Sequence, residues 1–340
     1  MARPRILFVC DAGPAVGGGH VMRSLTLAGA LSDHGAEPVF LATAAVAGVL
    51  DAFAPPDLPR IGTEGPDLVE AAAAAAEGSD LVVIDHYGLS AEDHLNIRSG
   101  RAGLIIDDLA NRPLAGDLIL DSGPARTAAD YAGLIPQGSR LLLGPAYAPV
   151  RPAFVQRRPD ALKRRSEGGP VRRLMVSLGL TDVGGLTGEL VRRLLPGLGD
   201  VALDIVLGSA APSLAGLTEL AREDRRLTLH VDTRSMPDLT LAADAAIGAA
   251  GSTNWERCVL ALPTLQVVVA DNQRPAARAL AAAGAVLVVD RSQPDFGAAF
   301  DSAAARLLDD AGLRRDLSAT SSTVCDGGGA DRVAEALLAL

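Results

Sequence analysis

Short aliphatic runs alternate along the chain with longer, alanine-rich segments whose apolar positions recur at helical spacing. This alternation is typical of parallel α/β units. For the first half of the chain it predicts strands at residues 5–10, 38–42, 81–85, 104–106, 117–120 and 140–143, and helices at 20–34, 67–76 and 91–98.

The stretch 149–170 interrupts the alternation, because it contains four prolines and the basic cluster 163–165. We interpret residues 151–170 as a linker between a first domain, 1–150, and a second, 171–329. The second domain repeats the pattern, with strands predicted at 173–177, 202–207, 227–230, 245–247, 265–270 and 286–289, and helices at 187–195, 214–222, 254–260 and 274–283. Residues 330–340 have a helical pattern and could pack back onto the first domain. The predicted fold is two doubly wound, Rossmann-like domains that face each other across a cleft.

Length, charge and cysteine spacing narrow the class of protein. A chain of 340 residues suits two domains of about 150 to 170 residues each. The net charge of −10 argues against a nucleic-acid partner. We see neither a signal peptide nor an apolar stretch long enough for membrane insertion, so we expect a cytoplasmic protein. The three separated cysteines form neither a disulfide framework nor a metal pattern.

The turn after the first predicted strand carries the strongest chemical signal. It reads Gly17-Gly18-Gly19-His20 and opens a helix. Glycines let the main chain approach a ligand, and the free N–H groups of a helix start favour an anion. The same field favours the neutral form of His20, which can accept a proton. A Rossmann fingerprint would need a third glycine where Met22 stands, so a dinucleotide is not expected. The alternative is a tight turn whose histidine caps the first helical turn.

A second glycine-rich turn follows the strand predicted at 245–247. Its residues Gly251, Ser252 and Thr253 open a helix, so their N–H groups could hold a diphosphate. Glu256 lies one turn further and could accept hydrogen bonds from both hydroxyls of a ribose. The alternative is structural, because Thr253 and Glu256 have the spacing of a capping box.

Polar residues also follow three other predicted strands. Asn272 and Gln273 could bind sugar hydroxyls or acetamido groups, or could simply cap the next helix. Carboxylates such as Asp85, Asp107 and Asp108 can raise one another's pKa or bind a cationic or polyhydroxyl group, or can act as Asx turns and helix caps. For Asp11, which could orient His20, we favour the turn or cap.

Six motifs in order resemble those of a known family. They lie at 17–23, 85–87, 106–112, 142–152, 247–258 and 270–273. Together they resemble the UDP-2,4-diacetamido-2,4,6-trideoxy-β-L-altropyranose hydrolases of pseudaminic acid biosynthesis, which are relatives of the MurG-type glycosyltransferases with a GT-B fold. One departure is Leu180, which stands where the family usually has a second glycine.

The resemblance implies a hydrolase that needs no metal or cofactor and releases UDP from a UDP-linked diacetamido sugar with inversion at the anomeric carbon. It implies that His20 is the general base, that Asn272 contacts the substrate, and that the Gly251 turn and Glu256 hold UDP. The full set of candidate substrate-binding residues is Gly17, Gly18, Gly19, Arg23, Tyr87, Asp107, Asn272 and Gln273, and the nucleotide-binding set is Gly251, Ser252, Thr253 and Glu256. The competing functions are a MurG-like glycosyltransferase, a non-catalytic UDP-sugar-binding protein, and a hydrolase that attacks phosphorus.

Overall fold

A computed structural model describes residues 3–13, 16–63 and 67–340 of the chain. It divides into two compact units. Unit 1 comprises Met1–Val150 together with Gly328–Leu340, and unit 2 comprises Arg151–Gly327.

Unit 1 is built on a parallel sheet that, in the described residues, has seven strands in the order β3-β2-β1-β4-β5-β6-β7. The strands are β1 (Arg5–Cys10), β2 (Glu37–Ala42), β3 (Arg60–Gly62), β4 (Leu81–Asp85), β5 (Ala102–Ile106), β6 (Leu118–Asp121) and β7 (Arg140–Leu143), and the helices are α1 (Gly19–Asp33), α2 (Ala44–Phe53), α3 (Leu68–Ala76), α4 (Ala91–Arg98) and the C-terminal α13 (Gly329–Leu338). The strand order reverses between β1 and β4, which are hydrogen-bonded neighbours. Such a reversal opens a crevice at the carboxyl ends of the strands, where ligands bind in doubly wound folds.

Unit 2 repeats this plan with a parallel sheet of six strands among the described residues, in the order β10-β9-β8-β11-β12-β13. The strands are β8 (Arg173–Ser177), β9 (Ala202–Leu207), β10 (Leu227–Val231), β11 (Ala245–Ala249), β12 (Thr264–Val268) and β13 (Leu287–Asp290), and the helices are α5 (Pro152–Glu167), α6 (Leu186–Leu194), α7 (Leu214–Glu223), α8 (Met236–Ala242), α9 (Thr253–Val259), α10 (Arg274–Ala282), α11 (Phe296–Asp309) and α12 (Ala311–Val324). Its reversal lies between β8 and β11.

The cores explain why the aliphatic runs form central strands. Side chains of β1 alternate between two buried clusters, with Phe8 in one and Leu7 in the other. Phe8 stacks on Phe40 of β2 with ring centroids 4.8 Å apart. A central parallel strand is covered by helices on both faces, so each of its apolar side chains is removed from water.

One segment differs from the sequence-based expectation. Residues 151–170 were predicted to be a linker, yet most of them form α5, a helix of unit 2. Pro152 occupies the first helical turn, where a backbone N–H has no acceptor within the helix. The missing N–H of proline therefore costs no hydrogen bond there, and Pro152 starts the helix instead of breaking it. The C-terminal helix α13 contributes Val333 and Leu337 to the same core cluster as Phe8.

Besides α5, five elements of the described residues were not predicted from the sequence, namely β3, α2, α8, α11 and α12. The strand β3 has only three residues, and α8 has seven, so neither leaves a clear periodic pattern. Within the described residues, no helix is long and apolar enough to cross a membrane.

Candidate active site

His20 lies at the point in unit 1 where the strand order reverses. It is the second residue of α1, which follows β1, and its partner Asp85 is the last residue of β4. The His20 Nδ1 atom is 2.6 Å from Asp85 Oδ1, and the Asp85 side chain is fully buried. Because the ring bonds to Asp85, it does not cap the first turn of α1, and that alternative is wrong.

Asp85 determines which ring nitrogen of His20 carries the proton. Burial alone would raise the pKa of Asp85, but the charges and hydrogen bonds of Arg23 and His20 outweigh it and hold this pKa well below its usual range. An ionised carboxylate only accepts hydrogen bonds, so Nδ1 of His20 donates and the lone pair of the neutral ring lies on Nε2. Among the described residues, Nε2 has no hydrogen-bond partner.

Arg23 lies one helical turn after His20 and fixes this arrangement. Its Nε and Nη2 atoms donate to the two oxygens of Asp85, each at 2.6 Å, and Nη1 donates to Asp108 Oδ2 at 2.6 Å. The expectation that neighbouring carboxylates raise one another's pKa is therefore wrong for Asp85, because Arg23 lies between Asp85 and Asp108. Arg23 was a predicted substrate contact, and here its side chain is only 11% exposed and holds two carboxylates.

Tyr87 completes the group around His20. Its ring meets the His20 ring edge-on, with centroids 4.5 Å apart and an interplanar angle of 79°. Its hydroxyl donates to Asp108 Oδ2. Burial and the Asp108 charge raise the pKa of Tyr87, so the hydroxyl stays protonated. The two rings hold each other in place, as edge-to-face pairs do.

Two backbone hydrogen bonds join Gly13 and Gly17 in the segment before α1. Gly17 donates to the Gly13 carbonyl at 2.7 Å, and Gly13 donates back at 3.3 Å. Gly17 has a φ of +75°, a left-handed conformation that favours glycine. Gly18 precedes the helix without a side-chain cap, and Gly19 is the first helical residue. The N–H groups of the first turn therefore donate to no capping side chain.

Two predicted carboxylates have other roles. Asp107 is fully buried, and its oxygens accept hydrogen bonds from the N–H groups of Leu109 and Ala110, from Arg112 and from Tyr131. It does not reach the surface, so we do not retain it as a substrate contact. Asp11 does not orient His20 either, because its Oδ1 lies 3.7 Å from Nε2 of His86.

In unit 2, the turn that follows β11 leads directly into α9. Gly251 has open space around it, since a Cβ added there would meet nothing closer than the side-chain nitrogen of Gln273, at 3.8 Å. Ser252 is the residue before the helix and makes no side-chain capping hydrogen bond. Thr253 is the first residue of α9, and among the described residues its hydroxyl oxygen accepts from Arg257 Nη1 and not from the Glu256 N–H, so the alternative of a capping box between Thr253 and Glu256 is wrong.

Glu256 is paired within unit 2. Its Oε1 accepts a hydrogen bond from Arg151 Nε at 2.8 Å, and its side chain is 13% exposed. The ion pair fixes the carboxylate one turn beyond Thr253 on α9. Oε2 makes no hydrogen bond with the described residues and remains available to a hydroxyl group.

Asn272 and Gln273 follow β12, the strand next to β11. Gln273 turns its side chain back, and its Oε1 accepts a hydrogen bond from the Val269 N–H at 3.0 Å. Asn272 is exposed and pairs with no described residue. Neither side chain caps α10, so capping does not explain these two amides.

Leu180 lies between β8 and α6. Its carbonyl accepts a hydrogen bond from the Gly208 N–H at 3.0 Å, and a Cβ at 208 would meet that carbonyl oxygen at 2.5 Å. The backbone of Leu180 is therefore held against Gly208 within unit 2.

Sequence reasoning missed two relationships at these sites. It did not assign Asp85 as the partner of His20, although Asp85 ends the strand next to β1 and so had to lie at the same sheet edge. It also did not identify Arg257, which is buried beside the Gly251 turn. An arginine four residues after Thr253 lies on the same helical face, and this spacing was the available signal.

No protein-family model matches the chain. The chain is 25% identical over 283 residues to the UDP-2,4-diacetamido-2,4,6-trideoxy-β-L-altropyranose hydrolase of Campylobacter jejuni, a match that spans 82% of this chain and 97% of that protein. It is 26% identical over 199 residues to the spore coat polysaccharide biosynthesis protein SpsG of Bacillus subtilis, with 57% of each chain covered. Among solved structures, MurG of Acinetobacter baumannii has a TM-score of 0.67 at 17% identity, over 99% of this chain and 100% of that one. The chain is thus similar in sequence to a UDP-diacetamido sugar hydrolase, and the prediction of a GT-B fold like that of MurG is confirmed.

Proposed function

We propose that this protein is an enzyme that hydrolyses a UDP-linked 2,4-diacetamido-2,4,6-trideoxy sugar at the anomeric carbon and releases UDP. The observation that carries the proposal is the 2.6 Å hydrogen bond between His20 and a buried, ionised Asp85. The sequence similarity to the Campylobacter jejuni hydrolase supports UDP-sugar chemistry. The expected setting, pseudaminic acid biosynthesis for flagellin glycosylation in the cytoplasm, rests on the same resemblance.

His20 acts as the general base. Its Nε2 lone pair takes a proton from water, and the water oxygen bonds to the anomeric carbon as the bond to the UDP oxygen breaks, which inverts that carbon. Asp85 stabilises the imidazolium that forms, as the carboxylate of a catalytic triad does. A positioned base of this kind contributes about 10²- to 10⁴-fold in rate.

The leaving group needs little further help. A diphosphate departs as a stable anion, so the second carboxylic acid of an ordinary glycosidase is not required. In this proposal the Gly251-Ser252-Thr253 turn binds the diphosphate through its N–H groups, and Glu256 accepts hydrogen bonds from the ribose. Asn272 and Gln273 bind polar groups of the sugar. Gly17, Gly18 and Gly19 let the sugar approach His20, Tyr87 lines that approach, and Arg23 acts through Asp85 and Asp108.

The test compares two identical substitutions on one helix. His20→Asn is expected to bind UDP normally and to lose turnover by at least about 10²-fold, because the proton acceptor is absent. His34→Asn, at the other end of α1 and partly exposed beside Asp331, is the control and keeps both properties. Near-wild-type turnover by His20→Asn refutes the assignment.

The similarity of the fold to MurG favours one alternative, a glycosyltransferase that uses the same base on a sugar hydroxyl. Incubation of the purified protein with the UDP-diacetamido sugar and no acceptor separates the two, because only a hydrolase releases UDP. Tight binding of UDP without any turnover supports a non-catalytic binding protein instead. In ¹⁸O-water, label in the sugar supports attack at carbon, and label in UDP indicates attack at phosphorus.

A further inference from the structure

Arg257 is a buried cation that no carboxylate of the described residues contacts. Its side chain belongs to α9, and the residue is 3% exposed. Burial lowers the pKa of Arg257 to about 10, so the guanidinium remains charged at neutral pH. Among the described residues, no carboxylate pairs with it, and its Nε–H has no acceptor.

The groups that Arg257 does contact lie at the end of β11 and at the start of α9, on either side of the turn. Nη1 donates to Thr253 Oγ1 at 3.0 Å, and Nη2 donates to the Ala249 carbonyl at 2.7 Å. Nη2 also donates to the Asn254 side-chain oxygen. The guanidinium thus connects the residue before the turn with the two residues after it, and fixes the path of the backbone between them.

The other two buried arginines of unit 2 have a different electrostatic setting. Arg165 donates to the carbonyls of Thr240 and Leu241 in the last turn of α8. Arg314 donates to those of Leu307 and Leu308 in the last turn of α11. The carboxyl end of a helix carries partial negative charge, which favours a cation. Arg257 instead lies against the first turn of α9, where the partial charge of the helix is also positive.

Gly248 is required by this arrangement. A Cβ at position 248 would lie 2.5 Å from Nη1 of Arg257 and 2.8 Å from Cζ. The first glycine of the motif therefore makes room for the guanidinium, whereas Gly251 is the one that leaves open space for a ligand. Burying an unpaired cation costs free energy, and this cost is offset when an anion binds nearby.

We propose that Arg257 is a positioning residue for a diphosphate. It holds the turn in shape through Ala249, Thr253 and Asn254, and it supplies positive charge that the phosphates of the bound nucleotide compensate. This inference rests on the proposed function, which assigns UDP to the same turn.

Titration of the full-length protein with UDP and with uridine tests the inference, because uridine lacks the diphosphate. Arg257→Gln is expected to lower the affinity for UDP by about tenfold or more, and to change the affinity for uridine by less than about threefold. The matched control, Arg165→Gln, removes another buried arginine and is expected to lower the melting temperature without changing the ratio of the two affinities.

The outcomes separate this role from the proposed function. Hydrolysis and UDP binding by the wild type, with an unchanged UDP-to-uridine ratio in Arg257→Gln, refute the role of Arg257 and leave the proposed function standing. A wild type that binds no UDP refutes both. If Arg257→Gln does not fold, Gly248→Ala displaces the same guanidinium, and an unchanged ratio in that variant refutes the role as well.

Discussion

The two candidate sites treat buried charge in opposite ways. In unit 1, Asp85 and Asp108 are both paired with Arg23, and Asp85 also bonds to His20. In unit 2, the groups of the described residues that hydrogen-bond to Arg257 are all neutral. A site that moves a proton needs fixed geometry before the substrate arrives, whereas a site that holds an anion gains from charge left uncompensated until the ligand binds. The difference matches the roles that we propose for the two units.

The largest expected effect comes from breaking the compensated network at Asp85. Asp85→Asn removes the negative charge that stabilises the His20 imidazolium, and its amide N–H can donate to Nδ1 and select the wrong tautomer, so turnover is expected to fall by about 10²- to 10⁴-fold with UDP affinity retained. It also removes a carboxylate from Arg23, and the free energy of unfolding is expected to drop by about 3–5 kcal/mol. Steady-state kinetics and urea denaturation measure the two losses separately.

Asp108→Asn is the control for Asp85→Asn. Asp108 pairs with the same arginine but does not touch His20. It is expected to lower stability and to leave turnover within about tenfold of the wild type. Equal losses of turnover in the two variants would show that Asp85 acts through the charge of the network and has no direct effect on His20.

A smaller effect is expected from the glycines of unit 2. Gly248→Ala forces a methyl group against Arg257, and such overpacking costs about 1–3 kcal/mol. We expect a lower melting temperature and about tenfold weaker UDP binding. Calorimetry provides both numbers.

Gly251→Ala is the comparison for Gly248→Ala. A Cβ at position 251 would lie 3.8 Å from its nearest neighbour, Gln273 Nε2, and Gly251 does not have a positive φ. The melting temperature is therefore expected to stay unchanged. A loss of UDP affinity in Gly251→Ala would then show that the added methyl group obstructs the ligand and does not disturb the fold. A fall in the melting temperature equal to that of Gly248→Ala would contradict our division of roles between the two glycines.

These sites also show what the sequence could predict. The alternation of aliphatic runs and helical segments was sufficient for the doubly wound fold, because a strand covered on both faces must be almost wholly apolar. The position of His20 followed from the strand that precedes it. The partner of His20 did not, because Asp85 is 65 residues away and reaches it only through the pairing of β1 with β4. The burial of Asp107 could not be predicted from the sequence either, because a carboxylate after a strand can point outward or inward. In the structure, hydrogen bonds from Arg112 and Tyr131 hold it inside.

The last prediction concerns a pH dependence and tests whether unit 1 avoids an unpaired buried cation. His94 on α4 is fully buried, and its Nδ1 accepts a hydrogen bond from the Ala115 N–H at 3.3 Å. Burial is the main reason that the pKa of His94 is lowered to about 4, and the positive charge of Arg112 lowers it further. The folded protein therefore keeps His94 neutral, whereas the unfolded chain takes up a proton below about pH 6.5. Stability is expected to fall as the pH drops from about 6.5 to about 4, by at most about 3 kcal/mol, and this contribution levels off below that range.

His94→Asn removes this titration while an amide oxygen can still accept the Ala115 hydrogen bond. Urea denaturation at pH 7 and at pH 4.5 should show a smaller acid-induced loss of stability in His94→Asn than in the wild type, even if the variant is less stable at pH 7. Equal losses in the two proteins would mean that His94 does not resist protonation. The contrast with Arg257 would then weaken, because it depends on unit 1 avoiding an unpaired buried cation where unit 2 retains one.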